Sequence, residues 1–152
     1  MPPQADTDLP GAVLFACNLN AVRSPMAAGL LRHLLGHKIY VSSAGVRSGE
    51  TDPFAVSAME EIGIDISRHV PVSFEDLHDS SFDLVISLTP QAQHQAVEMT
   101  RTMALDVEYW PTYDPTLESG NREQRLDAYR QLRDTLMARI KQRFGIRGQP
   151  NP

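Results

Sequence analysis

The sequence predicts a single α/β domain, a doubly wound three-layer unit in which four parallel strands carry helices on both faces. Three observations predict it. Four short apolar runs alternate with longer stretches of helical character, and three of them are nearly continuous in apolar residues, as strands buried on both faces are. A side-chain oxygen followed by proline marks the passage from strand to helix three times, at Ser24-Pro25, Asp52-Pro53 and Thr89-Pro90. The length of 152 residues suits one hydrophobic core of ordinary size.

Residues 1–10 are polar and proline-rich and read as a flexible tail, as do residues 146–152, which leaves a domain at 11–145. Strands are expected at 13–16, 39–42, 84–88 and 107–110. The first helix is expected over 24–35, with Ser24 as its N-cap. Gly36 and Gly63 stand where the first two helices should stop, each as a left-handed cap. The last helix starts at Asn121, where Gln124 completes a capping box. Along it Leu126, Tyr129, Leu132, Leu136, Ile140 and Phe144 form one apolar stripe, while Arg125, Asp127, Arg130, Asp134 and Lys141 make a solvated face.

Composition narrows the function. A net charge of −5 argues against a nucleic-acid binder, which carries a basic face, so any anion site must come from local geometry. One cysteine excludes an intramolecular disulfide and a cysteine-rich zinc site, and fits a reducing compartment. No apolar run approaches the roughly 20 residues of a membrane span, and the opening segment lacks the apolar stretch of a signal peptide. Cytoplasm is the expected location, with no membrane partner. Histidines and carboxylates do not cluster at metal-ligand spacing, so no metal or organic cofactor is expected.

In such sheets ligands bind beyond the carboxyl ends of the strands. The lone Cys17 stands there, at the turn from first strand to first helix, with Arg23 six residues on and Ser24 next. Converging loop amides and the positive end of the helix would hold an oxyanion over the sulfur. A thiolate is the strong nucleophile of such a pair, and Arg23 can grip two oxygens of the anion in fork geometry. Ser24 is placed to cap the helix and to donate to the sulfur. Cys17 and Arg23 are therefore the first two candidate catalytic residues.

The segment Cys17-Asn18-Leu19-Asn20-Ala21-Val22-Arg23-Ser24-Pro25 resembles the loop of the low-molecular-weight protein tyrosine phosphatase family, which also contains arsenate reductases of the same fold. That loop reads Cys-x-Gly-Asn-x-Cys-Arg-Ser-Pro; Leu19 replaces its glycine and Val22 its second cysteine. The likeness continues through Ser43-Ala44-Gly45, the segment from Gly63 to His69, Phe82-Asp83 and Asp114-Pro115. It implies a sheet of order 2-1-3-4, with Cys17 as nucleophile and Arg23 on the phosphoryl oxygens. Asn18, Leu19, Asn20, Ala21, Val22 and Ser24 would form the substrate-binding cup. Ser43 and His69, with Asn20 and Ser24, would be the polar network that fixes its shape. If the position of Leu19 demands positive φ, leucine there costs about 1–2 kcal/mol.

A departing ester oxygen leaves faster if protonated. Asp114, held between Pro111 and Pro115 after the last strand, is the candidate acid, and the family's general acid is likewise the aspartate of an Asp-Pro pair. Thr116 stands where the family has an aromatic residue, with Tyr113 and Trp110 near enough in sequence to take its place.

Three functions are compatible with these residues. The first is a cysteine-dependent phosphatase acting on a phosphorylated protein, of phosphotyrosine type, or on a small phosphomonoester through a cysteinyl phosphate. The second is arsenate reduction coupled to an external thiol or redoxin, since a single cysteine excludes an internal relay. The third is a non-catalytic phosphate-binding module.

Overall fold

The computed structural model describes residues 9–77 and 81–146. Four strands form one sheet: β1 (Ala12–Cys17), β2 (Tyr40–Gly45), β3 (Leu84–Ser87) and β4 (Asp106–Tyr109). All pairings are parallel, in the order β2-β1-β3-β4. The α-helices are α1 (Arg23–Leu35), α2 (Pro53–Glu60), α3 (Pro90–Met99) and α4 (Arg122–Arg143), with a 3-10 turn at Pro115–Leu117. The fold is the expected α/β sheet with helices on both faces. The second strand starts one residue later than expected and runs on to Gly45, because its ladder follows β1 as far as the Cys17–Gly45 pair.

Alternation along β1 divides the core. Val13, Phe15 and Cys17 face a large cluster that includes Met26 and Leu30 of α1, Met59 of α2 and Tyr129, Leu136 and Ile140 of α4. Leu14, with Ala44 and Val85, faces a smaller cluster closed by Ala96 of α3. Each large side chain fully buried there contributes about 1.5–3 kcal/mol. The stripe expected on the last helix is the buried face of α4, with Leu126, Tyr129, Leu132, Leu136 and Ile140 all inside. On its other face Arg130 is only partly solvated: it pairs with Glu61 at 2.8 Å and with Glu123 at 2.6 Å.

Two of the three expected caps before a proline form. Asp52 accepts from Phe54 N at 2.8 Å, and Thr89 accepts from Ala92 N at 3.1 Å. The third does not. Helix α1 begins at Arg23 after Val22, without a side-chain cap, because the Ser24 hydroxyl is engaged elsewhere. Asn121 and Gln124 make the expected capping box. Gly63 has φ 81° as expected, whereas Gly36 is right-handed, at φ −63°, because the chain there continues its turn with Gly36 N bonded to Arg32 O. Residues 1–8 and 147–152 of the expected tails lie outside the described residues. Leu9 and Ile146, also assigned to those tails, pack against the large core cluster.

The parallel arrangement has one consequence for the site. Cys17, Gly45, Ser87 and Tyr109 end their strands at the same edge, so the connections that follow them all emerge together.

Candidate active site

The loop after β1 is built by its neighbours as much as by its own residues. Val46 N donates to Cys17 O at 3.0 Å, Arg47 N to Asn18 O at 2.9 Å and Gly49 N to Leu19 O at 2.8 Å. These three bonds lay the segment after β2 along the first half of the loop. Glycine is required at the junction: a Cβ on Gly45 would lie 2.5 Å from Arg47 O, 2.7 Å from Asn20 N and 2.9 Å from Asn18 O. Real Cβ atoms do not approach backbone so closely, so any side chain at Gly45 pushes the loop away.

Asn20 takes the strained turn. Its φ is 55°, and it is the one non-glycine residue with positive φ among those described. Leu19 therefore carries no such strain, and the expected conformational cost at that position does not arise. Asparagine tolerates the left-handed region because its short amide bonds locally. Here Asn20 Nδ2 donates to Ser24 Oγ at 2.9 Å, and Asn20 Oδ1 accepts from Val72 N at 3.0 Å. Its carbonyl faces His69 Nε2 at 2.9 Å. Burial is the main cause holding the His69 pKa below its ordinary range, with the Arg32 charge adding to it and the bond to Asn20 opposing it.

Ser24 Oγ lies 2.9 Å from Cys17 Sγ, both buried, and 3.4 Å from Ala44 O. The hydroxyl has one proton and Asn20 already donates to its oxygen. Beside a thiolate, Ser24 donates to sulfur; beside a neutral thiol it can accept from S–H and donate to Ala44 O. That double use explains why Ser24 does not cap α1. The first amides of α1, which no side chain caps, remain open at the site, as anion binding requires.

Cys17 is 2% exposed yet forms part of the lining of a cleft of about 160 Å³. Asn18, Leu19, Ala21, Val22 and Arg23 line it from the loop, and Arg47, Asp114 and Thr116 from the facing connections. Arg23 is held there: its Nη1 donates to Thr112 O at 3.0 Å, and its Nη2 lies 3.8 Å from Asp114 Oδ2. Asp114 Oδ1 accepts from Thr116 N at 3.0 Å and from Thr116 Oγ1 at 2.7 Å, leaving Oδ2 toward the arginine. The cleft thus joins a sulfur, a guanidinium, a carboxyl group and open amides around a space suited to a small oxyanion.

Other expected residues fall elsewhere. Ser43 is buried in β2 opposite Phe15, and among the described residues no side-chain bond joins it to the loop; its neighbour Ala44 supplies the carbonyl near Ser24. Trp110 and Tyr113 do not line this cleft. They border a separate groove of about 730 Å³ against α4, so Thr116 alone stands in the family's aromatic position. Besides Thr112, whose carbonyl holds Arg23, two residues escaped the sequence reading. Thr89 Oγ1 donates to Asn18 Oδ1 at 2.7 Å, fixing the residue after Cys17 to the N-cap of α3. Arg47, exposed on the segment after β2, is a second arginine in the cleft's lining. Among the described residues no group of three or more His, Cys, Asp or Glu side chains could hold a metal ion, and no helix is long and apolar enough to cross a membrane.

The chain is similar to proteins of two named activities. It is 33% identical over 130 residues to a glutaredoxin arsenate reductase from Synechocystis, covering 85% of this chain and 92% of that one. It is 34% identical over 134 residues to an arsenate reductase from Bacillus subtilis, covering 86% and 92% of the two chains. Among solved structures, the YwlE arginine phosphatase from Geobacillus stearothermophilus superposes with a TM-score of 0.74 at 25% identity, over 90% of this chain and 92% of that one. Residues 12–143 match the family described as low molecular weight phosphotyrosine protein phosphatase, and this chain belongs to that family.

Proposed function

We propose that this chain is a cysteine-dependent phosphatase that hydrolyses phosphate monoesters, of phosphotyrosine type, through a cysteinyl phosphate. One observation carries the reading: Cys17 Sγ lies in one small cleft with Arg23 and, across from them, the Oδ2 face of Asp114. In the first step the Cys17 thiolate attacks phosphorus in line, the P–O ester bond breaks, and Asp114 in its acid form gives its proton to the departing oxygen. In the second, Asp114 takes a proton from water as the water attacks phosphorus. The P–S bond then breaks, releasing inorganic phosphate and the thiolate. Arg23 and the amides of the loop and of the start of α1 neutralise the equatorial oxygens in both steps. Leu19, 41% exposed at the cleft, offers apolar surface to an aryl leaving group.

A second reading has its own support: the single cysteine, and the similarity to a reductase named for glutaredoxin. In it Cys17 attacks arsenate, and two external thiols supply the two electrons, leaving as a disulfide while arsenic is released as arsenite.

Turnover of an aryl phosphate by the wild-type chain, Cys17→Ser and Asp114→Asn tests the first reading. We expect none from Cys17→Ser and a loss of about 10²–10⁴-fold from Asp114→Asn. Arsenate turnover that requires glutathione or glutaredoxin, with negligible phosphatase activity, would replace it with the second. Vanadate binding without either activity would leave a phosphate-binding module.

A further inference from the structure

We infer that Arg47 is a second anion receptor at the mouth of the Cys17 cleft, and that the favoured substrates are phosphopeptides with a carboxylate beside the phosphorylated residue. The inference deepens the proposed phosphatase function and rests on it.

Arg47 is fixed beside the loop that carries Cys17. Its amide donates to Asn18 O at 2.9 Å, between the bonds from Val46 N to Cys17 O and from Gly49 N to Leu19 O. Its own carbonyl packs over Gly45. The backbone of Arg47 is therefore clamped to the residue that follows Cys17 and cannot drift from it.

Its side chain is used differently from that of Arg23. The Arg23 guanidinium donates to Thr112 O and faces Asp114. Arg47 also lines the cleft but is exposed, and among the described residues its guanidinium has no carboxylate, carbonyl or ring partner. An unpaired guanidinium beside an anion site, in a chain of net charge −5, is a local feature that the global charge does not explain. Its planar fork suits a carboxylate. Leu19 lines the same cleft as both arginines and packs against Gly49, where an added Cβ would come within 3.0 Å of Leu19 Cβ. Gly49 thus leaves room for the leucine side chain, which offers the linking carbon skeleton of a substrate an apolar seat.

An exposed pair of this kind is modest, equivalent to about three- to fivefold in kcat/KM. It is also screened by salt. The test uses the full chain and three phosphotyrosyl peptides of equal length whose flanking residues are glutamate, glutamine or lysine. We expect the wild type to prefer the glutamate peptide over the glutamine peptide by about three- to fivefold, through KM, with the lysine peptide slowest. The preference should vanish at about 1 M salt, where the screening length falls to about 3 Å. Arg47→Gln should level the three peptides and Arg47→Glu should reverse their order. Equal kcat/KM for all three in the wild type, or a glutamate preference that survives Arg47→Gln, overturns the role of Arg47 and leaves the phosphatase function standing. Hydrolysis of none of the three overturns both.

Discussion

His69 Nε2 and the carbonyl oxygen of Asn20 lie 2.9 Å apart, and this contact supports the strained turn of the loop from outside. A carbonyl cannot donate, so the imidazole proton sits on Nε2 and the ring donates. Asn20 is the residue at φ 55°, so the histidine holds the one backbone conformation that the loop would least readily keep alone.

That histidine makes stability depend on pH. Burial keeps its folded pKa below the ordinary value of 6.5. The unfolded chain therefore takes up a proton near pH 6.5 that the folded chain accepts only at lower pH. Stability should be level above that point, fall as pH drops through the window below it, and level again once the folded imidazole is charged. His69→Gln, whose amide can still donate to Asn20 O, should flatten the window. Urea midpoints between pH 5 and 8 measure it, and identical slopes in wild type and variant would refute the assignment.

Gly45 should be intolerant of even one methyl group. The added carbon of Gly45→Ala meets three backbone atoms rather than movable side chains. The loop and the segment after β2 must separate, at a cost of about 1–3 kcal/mol. A shift of about 1 Å at Cys17 lowers turnover about 10²-fold. Thermal unfolding and vanadate affinity should both fall; unchanged vanadate binding would show that the loop does not need this close approach.

The loop was legible because its signals are contiguous: a strand, a cysteine, an arginine at fixed spacing and a proline near the helix start lie within about a dozen residues. His69 was reachable through family resemblance alone, since nothing local distinguishes it from a solvated histidine. Thr89 and Thr112 were not legible as site residues. They meet Asn18 and Arg23 across 71 and 89 residues of sequence, a proximity created only when β3 and β4 line up beside β1. Ser24 misled for a related reason: a hydroxyl before proline normally caps, but here buried polar partners compete for it. The backbone cost expected at Leu19 belonged one residue later, where asparagine can bear it.

Tyr129 ties the far helix to the site. Its hydroxyl donates to Asp52 Oδ2 at 2.7 Å, while Asp52 caps α2 and its amide reaches Ala21 O at 3.4 Å. Burial is the main reason its pKa lies well above the ordinary tyrosine range, followed by the Asp52 bond. Tyr129→Phe keeps the ring against Phe54, with which it packs at 5.3 Å between centroids, and removes only the bond. A loss of about 0.5–1.5 kcal/mol is expected, or about 2–4 °C in Tm per kcal/mol for a chain of this size. Calorimetry of the pair decides, and no shift would mean that solvent replaces the carboxylate without penalty.

Asp114 offers the sharpest separation of acid catalysis from mere binding. Its Oδ1 is committed to Thr116, so only Oδ2 is available to a leaving group, and that oxygen is 3.8 Å from Arg23 Nη2. A leaving group that departs easily as an anion needs little protonation; an alkyl or unactivated aryl oxygen needs much. Asp114→Asn should therefore slow an activated aryl phosphate least and an unactivated one most, so that the logarithm of kcat/KM depends more steeply on leaving-group pKa than in the wild type. Asparagine keeps the side chain's size and can still accept from Thr116, so loss of the loop's shape would not produce that steepening. Parallel lines for the two proteins would mean that Asp114 positions Arg23 rather than donating a proton, and the acid would have to be sought in another group at the same sheet edge.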